Sequence, residues 1–138
     1  SFEPEDYRYL DSLSKKGKAN MQSSRRIGAK LKHAFLVRSG QVERVKRHMA
    51  QCPYPYILGG DFNDTPSSFA VNQMAEGLQN TFRIKGSGLG RTYNGDFPNY
   101  QIDYIMASKQ WQVLTYGVIR KRLSDHYPVY SDVRLGNP

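Results

Sequence analysis

The chain has 138 residues and a formal net charge of +8, which predicts an anionic partner. Nucleic acid, a phosphorylated headgroup and an anionic membrane surface all fit that charge, and the alternative is a solvated basic face. The mean hydropathy of −0.67 and the lack of a long apolar run exclude a transmembrane helix within these residues. The one cysteine, Cys52, excludes an intramolecular disulfide, is expected to be a small, partly buried thiol and leaves the compartment open.

A polar lead-in and a long amphipathic helix are predicted at the start of the chain. Residues 1–22 are polar and charged, so we expect a solvent-exposed lead-in there and place the domain at residues 23–138. Ser23 and Ser24 offer N-cap hydroxyls, and an apolar stripe at helical spacing then predicts a helix that ends before Pro53. The stripe is Ile27, Leu31, Ala34, Phe35, Val42, Val45 and Met49. Between them lie basic residues that form either a solvated face or a binding surface, namely Arg25, Arg26, Lys30, Lys32, Arg44 and Arg47.

Shorter elements are predicted after the long helix. Residues 56–60 form a short buried strand that runs into Asp61, and Ser67 or Ser68 can cap a second helix over residues 69–77. The glycine-rich residues 85–90 predict a turn rather than a phosphate-binding loop, because no helix-forming run follows them. Extended segments are expected at residues 78–84, 92–93, 102–106, 111–119 and 127–135, with a turn at 94–96. The fold class is therefore α/β (α+β), with two helices against an open sheet.

The first chemical cluster is the tip of the strand that ends in Asp61. Gly59 and Gly60 precede Asp61, Phe62 and Asn63. Asp61 and Asn63 are two residues apart, so both can point the same way while Phe62 packs inward. Turn chemistry before a helix is the ordinary alternative for this cluster.

Two further clusters predict a carboxylate and histidine pair. Asp103 lies inside an apolar strand, where an isolated carboxylate is costly, so it needs a partner. His126 offers that partner, and a hydrogen bond from its ring to Asp103 would fix the tautomer. Each residue taken singly has an ordinary explanation. Asp103 is compatible with a surface position on an edge strand, and His126 is compatible with a structural role. The other histidines, His33 and His48, lie on the long helix and are interpreted as non-catalytic.

Together, these three clusters resemble the last three motifs of the endonuclease/exonuclease/phosphatase superfamily. The motifs are Asp61-Phe62-Asn63 after two glycines, Ile102-Asp103-Tyr104 and Ser124-Asp125-His126. The superfamily includes deoxyribonuclease-I-like enzymes, apurinic endonucleases, neutral sphingomyelinases and inositol-phosphate phosphatases. The resemblance extends from the long helix to Leu135 and implies the C-terminal half of a four-layered α/β sandwich of the deoxyribonuclease-I-like type.

The resemblance also implies a role for each motif residue. His126 would be the catalytic imidazole, oriented by Asp103, and Asn63 would hydrogen-bond the scissile phosphate. Asp61 would position or deprotonate the attacking water near a metal, for which Asp125 would be a further carboxylate or a group that orients His126. Phosphoester hydrolysis needs a water, a base and a cation, and carboxylate ligands suit Mg²⁺ or Mn²⁺ rather than zinc. For Asp64 we favour capping of the second helix.

The implied function is a metal-dependent phosphoester hydrolase whose substrate is a nucleic acid or a phosphorylated lipid or sugar. The sequence departs from the family pattern at Gln101, where Arg or Lys is common, and it lacks the early motifs that supply an Asn, the main metal-binding Glu and another histidine. We therefore expect this chain to correspond to the second half of the family domain and to turn over little or no substrate alone. No obligate protein partner is indicated, although an exposed sheet face favours self-association. The alternative function is a non-catalytic module that binds nucleic acid or another anionic ligand.

Overall fold

The computed structural model of the chain describes residues 21–95 and 100–136. The lead-in predicted for residues 1–22 therefore lies outside the described residues except at Met21 and Gln22, and so does the end of the turn predicted at residues 94–96. Within the described ranges, none of the helices combines the length and the apolar character needed to cross a bilayer.

The first helix, α1, spans Met21–Ala50 and confirms the long helix expected from the apolar stripe. It begins before Ser23 and Ser24, so these two serines lie inside the helix and the prediction that they cap it is wrong. It also continues through Gly40, although glycine weakens a helix interior. Cys52 follows the helix and is exposed rather than partly buried, because it lies in a run of exposed residues at 51–54.

Within the described residues, nine further elements follow α1, and they confirm a mixed helix and strand architecture. The elements are β1 Ile57–Asp61, α2 Phe69–Ala75, β2 Gln79–Asn80, α3 Thr81–Lys85, β3 Asp103–Ala107, β4 Trp111–Val113, β5 Gly117–Val118, β6 Val129–Tyr130 and β7 Val133–Leu135. Strand β1 pairs antiparallel with β3, and β3 pairs antiparallel with β2, so the first sheet has the order β1-β3-β2. Two small antiparallel pairs are β4 with β7 and β5 with β6.

Strand β1 is more exposed than the sequence predicted. Ile57 is 47% exposed, and Gly59, Gly60 and Asp61 are exposed as well. Among the described residues only β3 pairs with β1, so β1 is an edge strand of its sheet and not a buried central strand. The register places Asp61 opposite Asp103, so the two predicted acidic residues share one end of the sheet.

Local capping explains where the short helices begin. The Ser68 hydroxyl accepts a hydrogen bond from the Val71 N–H at 3.2 Å, which confirms Ser68 as the N-cap of α2. Residues 78–84 were expected to be extended, but only β2 is a strand. The Asn80 carboxamide oxygen accepts from the Phe82 and Arg83 N–H groups and thereby starts α3 immediately afterwards.

Each of the last two predicted strands is interrupted, and the two breaks lie opposite each other. Residues 111–119 form β4 and β5, and residues 127–135 form β6 and β7. The N–H groups of Leu114 and Thr115 both point at the Asp132 carbonyl, at 2.8 Å and 3.3 Å. Two residues of one strand thus oppose one residue of the other, which breaks the ladder as a bulge does. Alternation of apolar residues carries no signal for such a break.

The core lies between the two longer helices and the first sheet. Its fully buried members come from α1, α2 and β3, namely Val42, Ala70, Val71, Met74, Tyr104 and Met106. Phe62 follows β1 and packs against the Tyr104 ring with centroids 5.1 Å apart, as the alternation at the strand tip predicted. The Lys46 ammonium of α1 donates to the carbonyls of Gln73 and Glu76, at 2.6 Å and 3.1 Å, and so ties α1 to the C-terminal end of α2.

Candidate active site

The end of β1 presents Asp61 and Asn63 to solvent. The Asp61 carboxylate accepts a hydrogen bond from the Asn63 N–H at 2.8 Å, which closes a tight turn directly after the strand. Asn63 has a φ of 50°, in the left-handed region that Asn tolerates better than most residues. Because Phe62 is anchored in the core, this turn holds both polar side chains at the rim of the sheet.

Asp103 and His126 form the pair that the sequence predicted. The Nδ1 atom of His126 lies 2.8 Å from Oδ2 of Asp103, with the side chains 30% and 18% exposed respectively. An ionised carboxylate only accepts hydrogen bonds, so the proton of a neutral imidazole belongs on Nδ1 in this arrangement. Nε2 then carries the lone pair.

The free side of the imidazole faces Asp61. Nε2 of His126 lies 3.8 Å from Oδ2 of Asp61, which is too long for a direct hydrogen bond and short enough for one oxygen atom to contact both. Asp61, Asp103 and His126 each offer one ligand atom, and these atoms lie within 4.8 Å of one another. The described residues thus bring together two carboxylates and one imidazole at one end of the sheet.

The environment of His126 favours its protonated form. Burial lowers the pKa of His126, but the hydrogen bond and charge of Asp103 raise it, with further contributions from Asp61 and Asp125. The sum raises the pKa above the ordinary value of 6.5. This imidazole is therefore a stronger proton acceptor than one in water.

Thr92 supports the site, and sequence reasoning missed it. Its fully buried hydroxyl oxygen accepts hydrogen bonds from the N–H groups of Ile102 and Asp103, at 2.9 Å and 3.1 Å. Its carbonyl accepts from the Tyr127 N–H at 2.6 Å. Thr92 thereby joins the start of β3 to the segment that carries His126. A single threonine at the start of a presumed strand gives no sequence signal for this role.

Tyr93 and Ser124 hold the histidine from two other sides. The Tyr93 ring meets the imidazole edge to face with centroids 5.7 Å apart, and the two residues share a backbone bridge. The Ser124 hydroxyl accepts from the His126 N–H at 3.0 Å. The position of the imidazole is thus fixed by the backbone contacts of His126 as well as by the hydrogen bond to Asp103.

The remaining residues singled out from the sequence lie around this cluster. Asp125 is exposed and does not belong to it, and its backbone carbonyl accepts from the Asn94 N–H at 2.8 Å, so its metal role stays a prediction. Asp64 does not cap α2, because Ser68 occupies that position, and instead pairs with Arg38 at 3.2 Å. Gln101 is 1% exposed, and its side-chain amide donates to the Asp103 carbonyl at 3.4 Å. His33 and His48 are exposed on α1.

Comparison with known proteins agrees with this geometry. The sequence model of the Endonuclease/Exonuclease/phosphatase family matches residues 33–126, which include all three motifs. The chain therefore belongs to the endonuclease/exonuclease/phosphatase family, as the motifs indicated. No curated protein sequence matches the chain.

Solved structures place the chain in the same fold. An endonuclease/exonuclease/phosphatase from Bacteroides vulgatus matches with a TM-score of 0.64 and 22% identity, over 71% of this chain and 44% of that one. A mannosyl-6-phosphatase from Bacteroides thetaiotaomicron matches with a TM-score of 0.53 and 27% identity, over 74% and 44%. A further family protein from the same species matches with a TM-score of 0.52 and 26% identity, over 72% and 41%. The chain thus has a partial deoxyribonuclease-I-like α/β fold and spans less than half the length of these structures.

Proposed function

We propose that this chain supplies the proton-transferring half of a metal-dependent phosphoester hydrolase site. The observation that carries the proposal is the bifacial contact of His126. One ring nitrogen bonds Asp103 at 2.8 Å, and the other faces Asp61 at 3.8 Å. A dyad that joins the start of β3 to the segment before β6, with one ring nitrogen turned away from the carboxylate, is the arrangement that a general base requires.

His126 would take the proton of the attacking water at Nε2. Asp103 keeps Nδ1 protonated before this transfer and stabilises the imidazolium after it, as a buried carboxylate does for a histidine base. Asp61 would orient the same water from the opposite side, because one oxygen atom can contact both groups across the 3.8 Å gap. The exposed Asn63 carboxamide would donate a hydrogen bond to an oxygen of the scissile phosphate.

The donor set fits a hard divalent cation, although only in part. Asp61 is the accessible carboxylate of the cluster, with a side chain 38% exposed, whereas Asp103 is engaged with His126. Asp61 would therefore hold Mg²⁺ or Mn²⁺, with Asp125 as a further carboxylate nearby. Such an ion supplies charge that offsets the negative charge developing on the phosphoryl oxygens. Because the cluster brings together only two carboxylates among the described residues, we expect weak metal binding by this chain alone.

The substrate class is a phosphate ester, and a sugar phosphate is the first member to test. The reason is that one similar structure is named a mannosyl-6-phosphatase. The net charge of +8 equally suits a polyanion such as a nucleic acid, which would make the enzyme a nuclease. Comparing the hydrolysis of sugar monophosphates with that of a phosphodiester backbone distinguishes a sugar phosphatase from a nuclease.

The test compares the whole protein with the 138-residue chain. Each is assayed with Mg²⁺ or Mn²⁺ on mannose 6-phosphate, a generic phosphodiester and DNA, as wild type and as His126→Gln, with His33→Gln as the control. In the whole protein, loss of the base should lower kcat by roughly 100-fold or more, and the control should retain the wild-type rate.

Two results would change the proposal. A whole protein that binds a phosphoester without turning it over would support the binding module instead. Robust metal-dependent hydrolysis by the 138-residue chain alone would refute the view that its site is incomplete.

A further inference from the structure

Two loops near His126 carry the most exposed apolar side chains of the described residues. Leu89 is 89% exposed and Leu123 is 74% exposed. Single exposed leucines are common on protein surfaces and need no explanation. These two differ because basic residues lie within four positions of each in the sequence and because their loops are in contact.

The loop that carries Leu123 leads directly to the catalytic motif. It contains Arg120, Lys121 and Arg122, and Ile119 at its start is 41% exposed. Backbone hydrogen bonds from Lys121 N–H to the Ile119 carbonyl and from Leu123 N–H to the Lys121 carbonyl, both 2.9 Å, give it a defined shape. The side chains of Lys121 and Arg122 make no hydrogen bond or ion pair with another residue of the described ranges.

A contact between two arginines joins this loop to the one that carries Leu89. The Arg120 guanidinium donates to the Arg91 carbonyl at 2.6 Å. Both guanidinium groups lie against the ring of Tyr127, at 5.3 Å for Arg120 and 5.9 Å for Arg91. Tyr127 is the neighbour of His126 in sequence. The two leucine-bearing loops are therefore neighbours, joined through Arg91 and Arg120 next to the residue that follows His126, and we name them together the leucine rim (residues 85–91 and 119–123).

We propose that the leucine rim docks on the surface of an anionic lipid bilayer. At such an interface leucine side chains enter the acyl boundary while lysine and arginine side chains remain among the phosphates. A nucleic acid would match the charges but would leave both leucines in water, since single strands are usually bound by aromatic stacking. The apolar tips therefore favour lipid.

Docking of this kind does not depend on the proposed catalysis. It adds a location for the reaction, because His126 follows the Leu123 loop by three residues in the sequence. A phosphoester presented at the bilayer surface would then reach the imidazole without leaving the interface. Binding can be measured on the chain whether or not it turns over substrate.

The experiment is vesicle co-sedimentation of the 138-residue chain. Vesicles of phosphatidylcholine are compared with vesicles that also contain about 30% phosphatidylserine, and binding should be at least roughly tenfold tighter to the anionic ones. Leu89→Ser/Leu123→Ser should weaken that binding by about tenfold or more. Lys121→Gln/Arg122→Gln should weaken it by about fivefold per cation removed. Circular dichroism checks that every variant is folded.

Matched variants on α1 separate the rim from general basicity. Arg44→Gln/Arg47→Gln removes the same charge, and Leu31→Ser/Leu36→Ser removes two half-exposed leucines, 49% and 58% exposed. Neither pair should change vesicle binding more than about twofold beyond the long-range effect of charge. Equal losses from rim and α1 variants, absence of binding to anionic vesicles, or tight DNA binding that ignores the rim leucines would each overturn the proposal.

Discussion

Thr92→Val removes a hydroxyl whose loss should weaken both the fold and the dyad. Valine has nearly the same shape, so no cavity forms, but the N–H groups of Ile102 and Asp103 lose an acceptor that is itself fully buried. A buried unsatisfied donor costs about 1–3 kcal/mol, so two of them should lower the free energy of unfolding by about 2–4 kcal/mol after partial relaxation. Thr92→Ser keeps the hydroxyl and loses one methyl group, which should cost only about 1 kcal/mol.

Urea denaturation followed by circular dichroism measures both free energies. A second readout concerns position, because Asp103 sits at the start of the strand that Thr92 holds. The pKa of His126, followed by NMR, should fall in Thr92→Val and be restored in Thr92→Ser. If the valine variant is as stable as the serine variant, or if the His126 titration is unchanged, then Thr92 does not position the dyad.

Two further predictions concern pH and a loop glycine. Burial lowers the pKa of His126, but the hydrogen bond and charge of Asp103 outweigh it, so the pair stabilises the fold fully below pH 6.5 and that contribution is lost as pH rises through the raised pKa. NMR titration in the presence of chelator should show a lower pKa in Asp103→Asn. Gly90→Ala should destabilise more than Gly88→Ala, as urea midpoints can show. Both glycines have a positive φ, +63° and +67°, but only at Gly90 would a Cβ lie 2.5 Å from the Phe82 ring. Equal midpoints would contradict that comparison.

Short-range patterns in the sequence correctly predicted two contacts at the site. Phe62 packs inward between Asp61 and Asn63, as the alternation at the strand tip indicated. The pairing of Asp103 with His126 followed from the cost of an unpaired carboxylate in an apolar strand. The pair is present at 2.8 Å.

Features that depend on tertiary contacts could not be predicted from the sequence. The exposure of β1 depends on which strands flank it, and the break shared by the last four strands depends on the Asp132 carbonyl serving two N–H groups. The start of α3 depends on the side chain of Asn80, and the periodicity of apolar residues does not indicate such a cap. Thr92 acts through a single hydroxyl, and its position gives no pattern to detect.

The central claim is that Asp61, Asp103 and His126 form one metal-responsive, proton-transferring unit. Mn²⁺ added below one equivalent to the chain tests it through paramagnetic broadening of the histidine ring signals in NMR, which depends steeply on distance. The His126 signals should broaden first, while those of His33 and His48 on α1 remain sharp, and Asp61→Asn should remove the selectivity. Equal broadening of all three histidines, or earlier broadening of His33 or His48, would contradict a metal site at His126.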